Sequence, residues 1–207
     1  HSNSNYEANL YKRRLVRARL SENQPIEEWI RRAIVERGKD PIKARRSYEA
    51  ALKTAPEKAS LWLELSKTIQ AISFGKPHNY NRHQLYRDGT GASYNAYRYA
   101  TSDALKADAL GVLAGFLKAR SYWRPSLDAY KASLSLESNE SLEKIYKELR
   151  AEKGFRITNY KMNLDLLNPR LCVQFSENLY ARGTDYSTFV KINQDDPDGV
   201  RVERRQI

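Results

Sequence analysis

A single cysteine in 207 residues excludes a disulfide scaffold and any multi-cysteine metal or cluster site within the chain. Nine glycines and seven prolines are too few for a low-complexity or collagen-like sequence. No apolar run approaches the ~20 residues a membrane-crossing helix needs. Histidine is scarce as well, with three in all. The polar opening His1-Ser-Asn-Ser-Asn5 has none of the features of a secretion signal and reads as a processed start. What the chain does contain is charge and tyrosine: 36 Lys and Arg against 25 Asp and Glu, and 14 Tyr. This describes a basic globular protein, long enough for one domain and part of another or for two small ones.

The net charge of +11 is spread unevenly, with 13 Lys and Arg against 7 Asp and Glu in residues 1–56 but 8 against 7 in residues 155–207. A dedicated nucleic-acid surface concentrates its charge in a stripe. The nearest candidate is Lys12-Arg13-Arg14 with Arg17 and Arg19, on a helix whose apolar face is expected to be Leu10, Leu15, Val16 and Leu20. A second candidate is Lys43, Arg45 and Arg46. Acidic residues interrupt the rest, so a solvated basic face is the simpler reading and no nucleic-acid partner is expected.

The hydrophobic rhythm changes near Gly154. Before it, apolar residues recur every three or four positions, as in helices. After it, Phe155–Met162, Arg170–Phe175 and Phe189–Ile192 alternate with the period of strands, separated by Asn168-Pro169, Arg182-Gly183 and Asp196-Pro-Asp-Gly199. Helices followed by strands without alternation predict a mainly helical α+β chain of two units, 1–154 and 155–207.

Within the helical part Ala44, Tyr48, Ala51 and Pro56 follow the small, aromatic, small, proline spacing of the second helix of a tetratricopeptide repeat. Trp62, Leu65, Ser66 and Ile69 fit the first helix of the next repeat, as do Leu110, Leu113, Ala114 and Leu117 further on. Tyr48-Glu-Ala-Ala-Leu52 and Tyr130-Lys-Ala-Ser-Leu134 superpose directly, 82 residues apart. That interval is two repeats of about 34 residues plus an insertion of about 14. The insertion is placed at residues 75–91, between Phe74 and Gly91, where Asn, Tyr, His and Gly suggest a loop. Such helix pairs stack, because each leaves one face uncovered, and Ser141–Lys153 would cap the stack. Over residues 25–153 the chain thus resembles the tetratricopeptide repeats, with a degenerate first repeat. The resemblance implies a concave groove for an extended peptide, lined by Ser60, Leu63, Lys67 and Gln70 and by Asp108, Gly111, Gly115 and Lys118. Leu63 and Gly111 stand where carboxylate-gripping repeats carry polar residues, so that mode does not transfer. A purely structural spacer is the alternative.

Catalytic candidates are weak, and the chain is not expected to be an enzyme or to carry a cofactor or metal. His78 and His83 are too few for a closed metal site. Asp88-Gly-Thr-Gly91 lacks flanking apolar strands and suggests a turn. Gly75-Lys76 lacks the rest of a phosphate loop. No histidine follows His83, so no Ser-His-Asp arrangement can be assembled. Cys172 falls on a strand with Leu171, Val173 and Phe175 on the opposite face and no activating base in view, which makes it a structural thiol.

Two runs carry a further resemblance. Pro169-Arg-Leu-Cys-Val-Gln-Phe-Ser-Glu177, with Arg156-Ile-Thr-Asn-Tyr160 before it and Gly183–Val190 and Val200–Glu203 after it, resembles the start of the first macroglobulin-type β-sandwich domain of bacterial alpha-2-macroglobulins. Arg120–Leu134 followed by Leu149–Phe155 resembles the helical region ahead of that domain in long members of the family. The resemblance covers roughly residues 25–207. It implies a periplasmic or cell-envelope protease trap, in which a protease cuts a bait segment and many members capture it with a Cys-x-x-Gln thioester. Cys172 is followed by Val-Gln-Phe and no thioester run occurs, so the chain would supply scaffold and contacts to proteases or envelope partners. A sandwich needs about seven strands and ~100 residues, so an incomplete one is expected here. A self-contained tetratricopeptide-like adaptor that binds a protein segment remains the alternative.

Overall fold

The computed structural model describes residues 2–18, 24–75, 81–163 and 170–179. Among them are eight helices and a two-stranded antiparallel sheet, the mainly helical α+β class expected. The chain divides into two units, His1–Gly154 and Phe155–Ile207.

In the first unit α1 (Ser2–Arg17) precedes three helix pairs, α2 (Ile26–Arg37) with α3 (Pro41–Thr54), α4 (Ala59–Phe74) with α5 (Arg82–Tyr99), and α6 (Asp103–Ala119) with α7 (Trp123–Leu136). The series ends on α8 (Glu140–Lys153), which packs on α7. The local chemistry explains the boundaries. Asp40 accepts from the Ile42 and Lys43 amides, with Pro41 opening α3, while Asn81, Ser102 and Asn139 cap α5, α6 and α8 in the same manner. Each such cap is worth about 1 kcal/mol.

The small and aromatic positions pack as their spacing requires. Ala44, Ala51, Ser66, Ala114 and Ser133 are buried, as are Tyr48, Trp62 and Tyr130. Ser126 and Ser133 donate from α7 to the Ala114 and Ala107 carbonyls of α6 at 2.8 and 2.7 Å, which draws that pair together. Trp62 donates its indole N–H to the Pro56 carbonyl at 2.9 Å, tying the turn after α3 to the wedge of the next pair.

Two expectations are overturned. Residues 82–91 are not loop: they open α5, the second helix of the middle pair, and Asp88-Gly-Thr-Gly91 lies inside that helix rather than in a turn. Glycine is selected there by close approach. A Cβ at Gly89 would overlap the buried Phe116 ring of α6, and one at Gly91 would come within 2.9 Å of the Glu7 carbonyl oxygen of α1. Packing on both sides thus outweighs the ~1 kcal/mol helix cost of each glycine. The apolar face assigned to α1 is also wrong. Ala8, Tyr11 and Leu15 point into the core, whereas Leu10 and Val16 are exposed. Leu20 lies outside the described residues.

Helix α6 ends on a turn in which the Ser121 amide donates to Lys118 and the Tyr122 amide to Leu117, both at 2.9 Å. This pattern puts Ser121 at φ 60°, where glycine normally sits. Ser121→Gly is expected to raise stability by about 1 kcal/mol, the approximate cost of a side chain in that conformation. A denaturant titration checks it.

In the second unit β1 (Ile157–Asn163) pairs with β2 (Arg170–Phe175). The register shift between Ile157 and Asn159 leaves Thr158 as a bulge, so Ile157 joins Tyr160, Met162, Leu171, Val173 and Phe175 on one face. Asn159, Lys161, Cys172 and Gln174 take the other. Phe155 and Phe175 stack with ring centroids 5.1 Å apart. All of the apolar face except Phe175 is exposed. Two strands alone are marginal in water. The strand readings at Phe189–Ile192 and Val200–Glu203, and the punctuation at 168–169, 182–183 and 196–199, lie outside the described residues.

Candidate interaction groove

The first helices of the three pairs, α2, α4 and α6, all contribute side chains to one cleft. A cleft of about 590 Å³ is lined by Arg37, Lys67, Gln70, Ala71, Phe74, Gly75 and Val112. A second, of about 280 Å³, lies among Ile30, Ile34, Arg37, Tyr48, Lys58, Ser60, Leu61 and Glu64. Arg37 contributes to both, and its guanidinium pairs with Glu64. Lys67 reaches across from α4 to Asp108 of α6 at 2.9 Å. Phe74 is 54% exposed, and its ring stacks on Tyr86 and Phe116 with centroids 5.8 and 6.3 Å away. The two clefts therefore offer apolar contact at Phe74 and at Ile34, and cross-helix ion pairs involve residues that line them. Ion pairs this exposed are worth about 0–1 kcal/mol each, so a ligand can exchange them at little cost.

The residues expected in the groove are distributed unevenly. Lys67 and Gln70 line the larger cleft, and Asp108 sits beside it as the partner of Lys67. A Cβ at Gly115 would lie 3.3 Å from the Gln70 amide nitrogen, so glycine lets that side chain lie flat. Ser60 lines the smaller cleft. Leu63 must be corrected, because it is 4% exposed and belongs to the main core, out of reach of a ligand. Gly111 likewise faces Leu142 and Ser133 rather than the groove. Lys118 is exposed on α6 but outside both clefts.

The basic clusters resolve into internal pairing. Helices α1 and α5 each hold one acidic residue, Glu7 and Asp88, and both are buried. Asp88 accepts from Arg14 and Arg45, each at 2.7 Å, and from Gln84 at 2.8 Å. Glu7 takes a two-pronged contact from Arg120 at 2.6 and 2.8 Å, with Arg87 3.7 Å away. Asn95 donates to the Ala8 carbonyl at 3.0 Å. Lys12 meets Tyr99 and Glu57, and Lys43 meets Asp40. Of the two clusters only Arg13, Arg17 and Arg46 stay exposed without an acidic partner among the described residues, while Arg19 lies outside them. The lone acids on otherwise basic helices were the available signal, and residue spacing could not show which cations they meet.

Tyr11 sits against this network, donating to Glu49 at 2.6 Å. Burial, then the Glu49 charge, pushes its pKa well above 10, and burial raises Tyr48 and Tyr130 too. The folded state thus holds these protons more tightly than the unfolded chain. Their contribution is whole below the unfolded value near 10 and is lost as pH climbs beyond it. Alkaline titration should show tyrosinate absorbance from these rings arriving together with loss of helical ellipticity.

His83 is exposed at the start of α5, and His78 and Lys76 lie outside the described residues. Among the described residues no three His, Cys, Asp or Glu side chains gather as metal ligands, and no helix is long and apolar enough to cross a membrane. Cys172 is exposed on the polar face of the hairpin. No protein-family model matches the chain, and no curated protein matches it.

Proposed function

We propose that the chain is the N-terminal region of a bacterial alpha-2-macroglobulin-type protease trap. In this reading it is a non-catalytic helical scaffold leading into the first β-sandwich domain, in the periplasm or cell envelope. The observation that carries the reading is the run from Pro169 to Glu177. Its central residues Arg170–Phe175 form a strand paired with Ile157–Asn163, directly after the helical unit ends at Gly154. A hairpin apolar on one face and polar on the other is the half-layer a sandwich is built from, and that chemistry supports the reading. Target proteases would be met through the full-length molecule and envelope partners through the helices.

The test uses the product of the whole reading frame that contains this chain. Mixed with an endopeptidase, it should be cut at one segment, change shape, and shield large protein substrates from that protease. A product that leaves protease activity on large substrates untouched contradicts the proposal. The groove lined by Lys67, Gln70 and Phe74 favours a second reading, an adaptor that binds an extended protein segment. That reading expects the 207-residue chain alone to bind such a segment, with Phe74→Ala weakening it at least tenfold.

A further inference from the structure

Helix α1 is apolar on two opposite sides, and the fold uses only one of them. Ala8, Tyr11 and Leu15 face the core, and Glu7 is held there by Arg120. The other side carries Tyr6, Leu10, Arg13 and Arg17 at i, i+4, i+7 and i+11, which places them on one stripe. Val16 borders it. Tyr6, Leu10 and Val16 are 61%, 44% and 48% exposed. Arg13 and Arg17 are exposed and meet no acidic side chain among the described residues. The helix's one carboxylate, Glu7, is turned inward, so α1 itself adds no negative charge to the stripe.

We propose that this outer face of α1 binds the headgroup region of an anionic phospholipid surface, with α1 remaining docked on α5. Charge and apolar content together select that occupant. A second copy would set Arg13 and Arg17 against the same two cations. A nucleic acid would reward the arginines but gain nothing from Leu10 and Val16. An anionic bilayer interface takes both, phosphates pairing with guanidinium groups while tyrosine and aliphatic side chains enter the boundary below. The inner contacts to Arg120, Asn95 and Asp88 keep the helix on its unit, which limits penetration to the depth of those side chains. The inference stands whether or not the protease-trap reading holds.

The experiment is co-sedimentation of the 207-residue chain with unilamellar vesicles of phosphatidylcholine, with and without phosphatidylglycerol. Binding is expected only with phosphatidylglycerol. Arg13→Gln with Arg17→Gln should weaken it about twentyfold or more, since each arginine near an anionic surface is worth about fivefold. Arg13→Lys with Arg17→Lys should retain it. Tyr6→Ser with Leu10→Ser should also weaken it. All these side chains point to solvent, so circular dichroism should report an unchanged fold. Wild-type-like vesicle binding by either weakening pair overturns the proposal. So does equal binding to both vesicle types, or capture of duplex DNA or polyglutamate with no binding to vesicles.

Discussion

Asp88→Ala is expected to lower the unfolding free energy of the helical unit by about 2–3 kcal/mol, because it removes the buried carboxylate on which Arg14 and Arg45 both end, leaving Arg45 to Glu49 alone and Arg14 to solvent. Arg14 and Arg45 both end on this carboxylate, from α1 and α3, and α5 supplies it. Three helices therefore meet at one buried group. A domain of ordinary stability has about 5–15 kcal/mol in total, so the variant would lose a substantial share of its margin. Asp88→Asn keeps the volume and an acceptor and should lose less. Urea titration of the three proteins checks the order wild type, Asn, Ala. Equal midpoints would mean that the carboxylate contributes nothing to holding α1.

The second large effect is a reversal of sign. At a solvent-exposed helical position Gly→Ala stabilises by about 1 kcal/mol. At Gly89 the added methyl would overlap the ring of Phe116, which is fully buried. Overpacking of that kind costs about 1–3 kcal/mol and exceeds the propensity gain, the more so because the ring has no free side to move into. Gly89→Ala should therefore melt at lower temperature than the wild type. Phe116→Leu, harmful by itself, should recover part of the loss when combined with it. The coupling energy from the four proteins of the cycle measures the contact directly. A Gly89→Ala protein more stable than its parent would place this part of α5 in solvent or in a loop.

How much of this was readable in the residues depends on the distance over which the information acts. Tyr48, Trp62, Tyr130 and their small neighbours were legible because pairing of adjacent helices leaves a periodic trace within some 30 residues. Lys67 and Gln70, which the same register turns away from the core, stay half-buried and line the larger cleft. Leu63 failed because its neighbours in α4 are apolar on nearly every side, so periodicity did not distinguish core from groove. Helix α5 was hidden by Gly89 and Gly91, which act as loop signals until the Phe116 ring and the α1 backbone that require them are known. The inner face of α1 was hidden likewise. Leu10 and Val16 are as apolar as Leu15, and what decides between them is a pair of ionic contacts. Arg14 meets Asp88 across 74 residues of chain, and Arg120 meets Glu7 across 113. Neither leaves a local pattern.

These contacts also define what the helical unit presents to partners. On one side the ion pairs Arg37–Glu64 and Lys67–Asp108 span the groove and remain accessible. On the other, the cations that made the N-terminal segment resemble a nucleic-acid site are largely consumed in holding α1 to α3 and α5. What remains outward is a short stripe in which arginine and apolar side chains are mixed.

Amide hydrogen exchange across α1 in the 207-residue chain tests the arrangement most directly. With α1 locked by Glu7, Asp88 and Asn95, the Ala8–Leu15 amides should exchange as slowly as those of α5 and lose that protection in Asp88→Ala. If the same amides exchange at the rate of an unfolded peptide while α5 stays protected, α1 is not part of the helical unit.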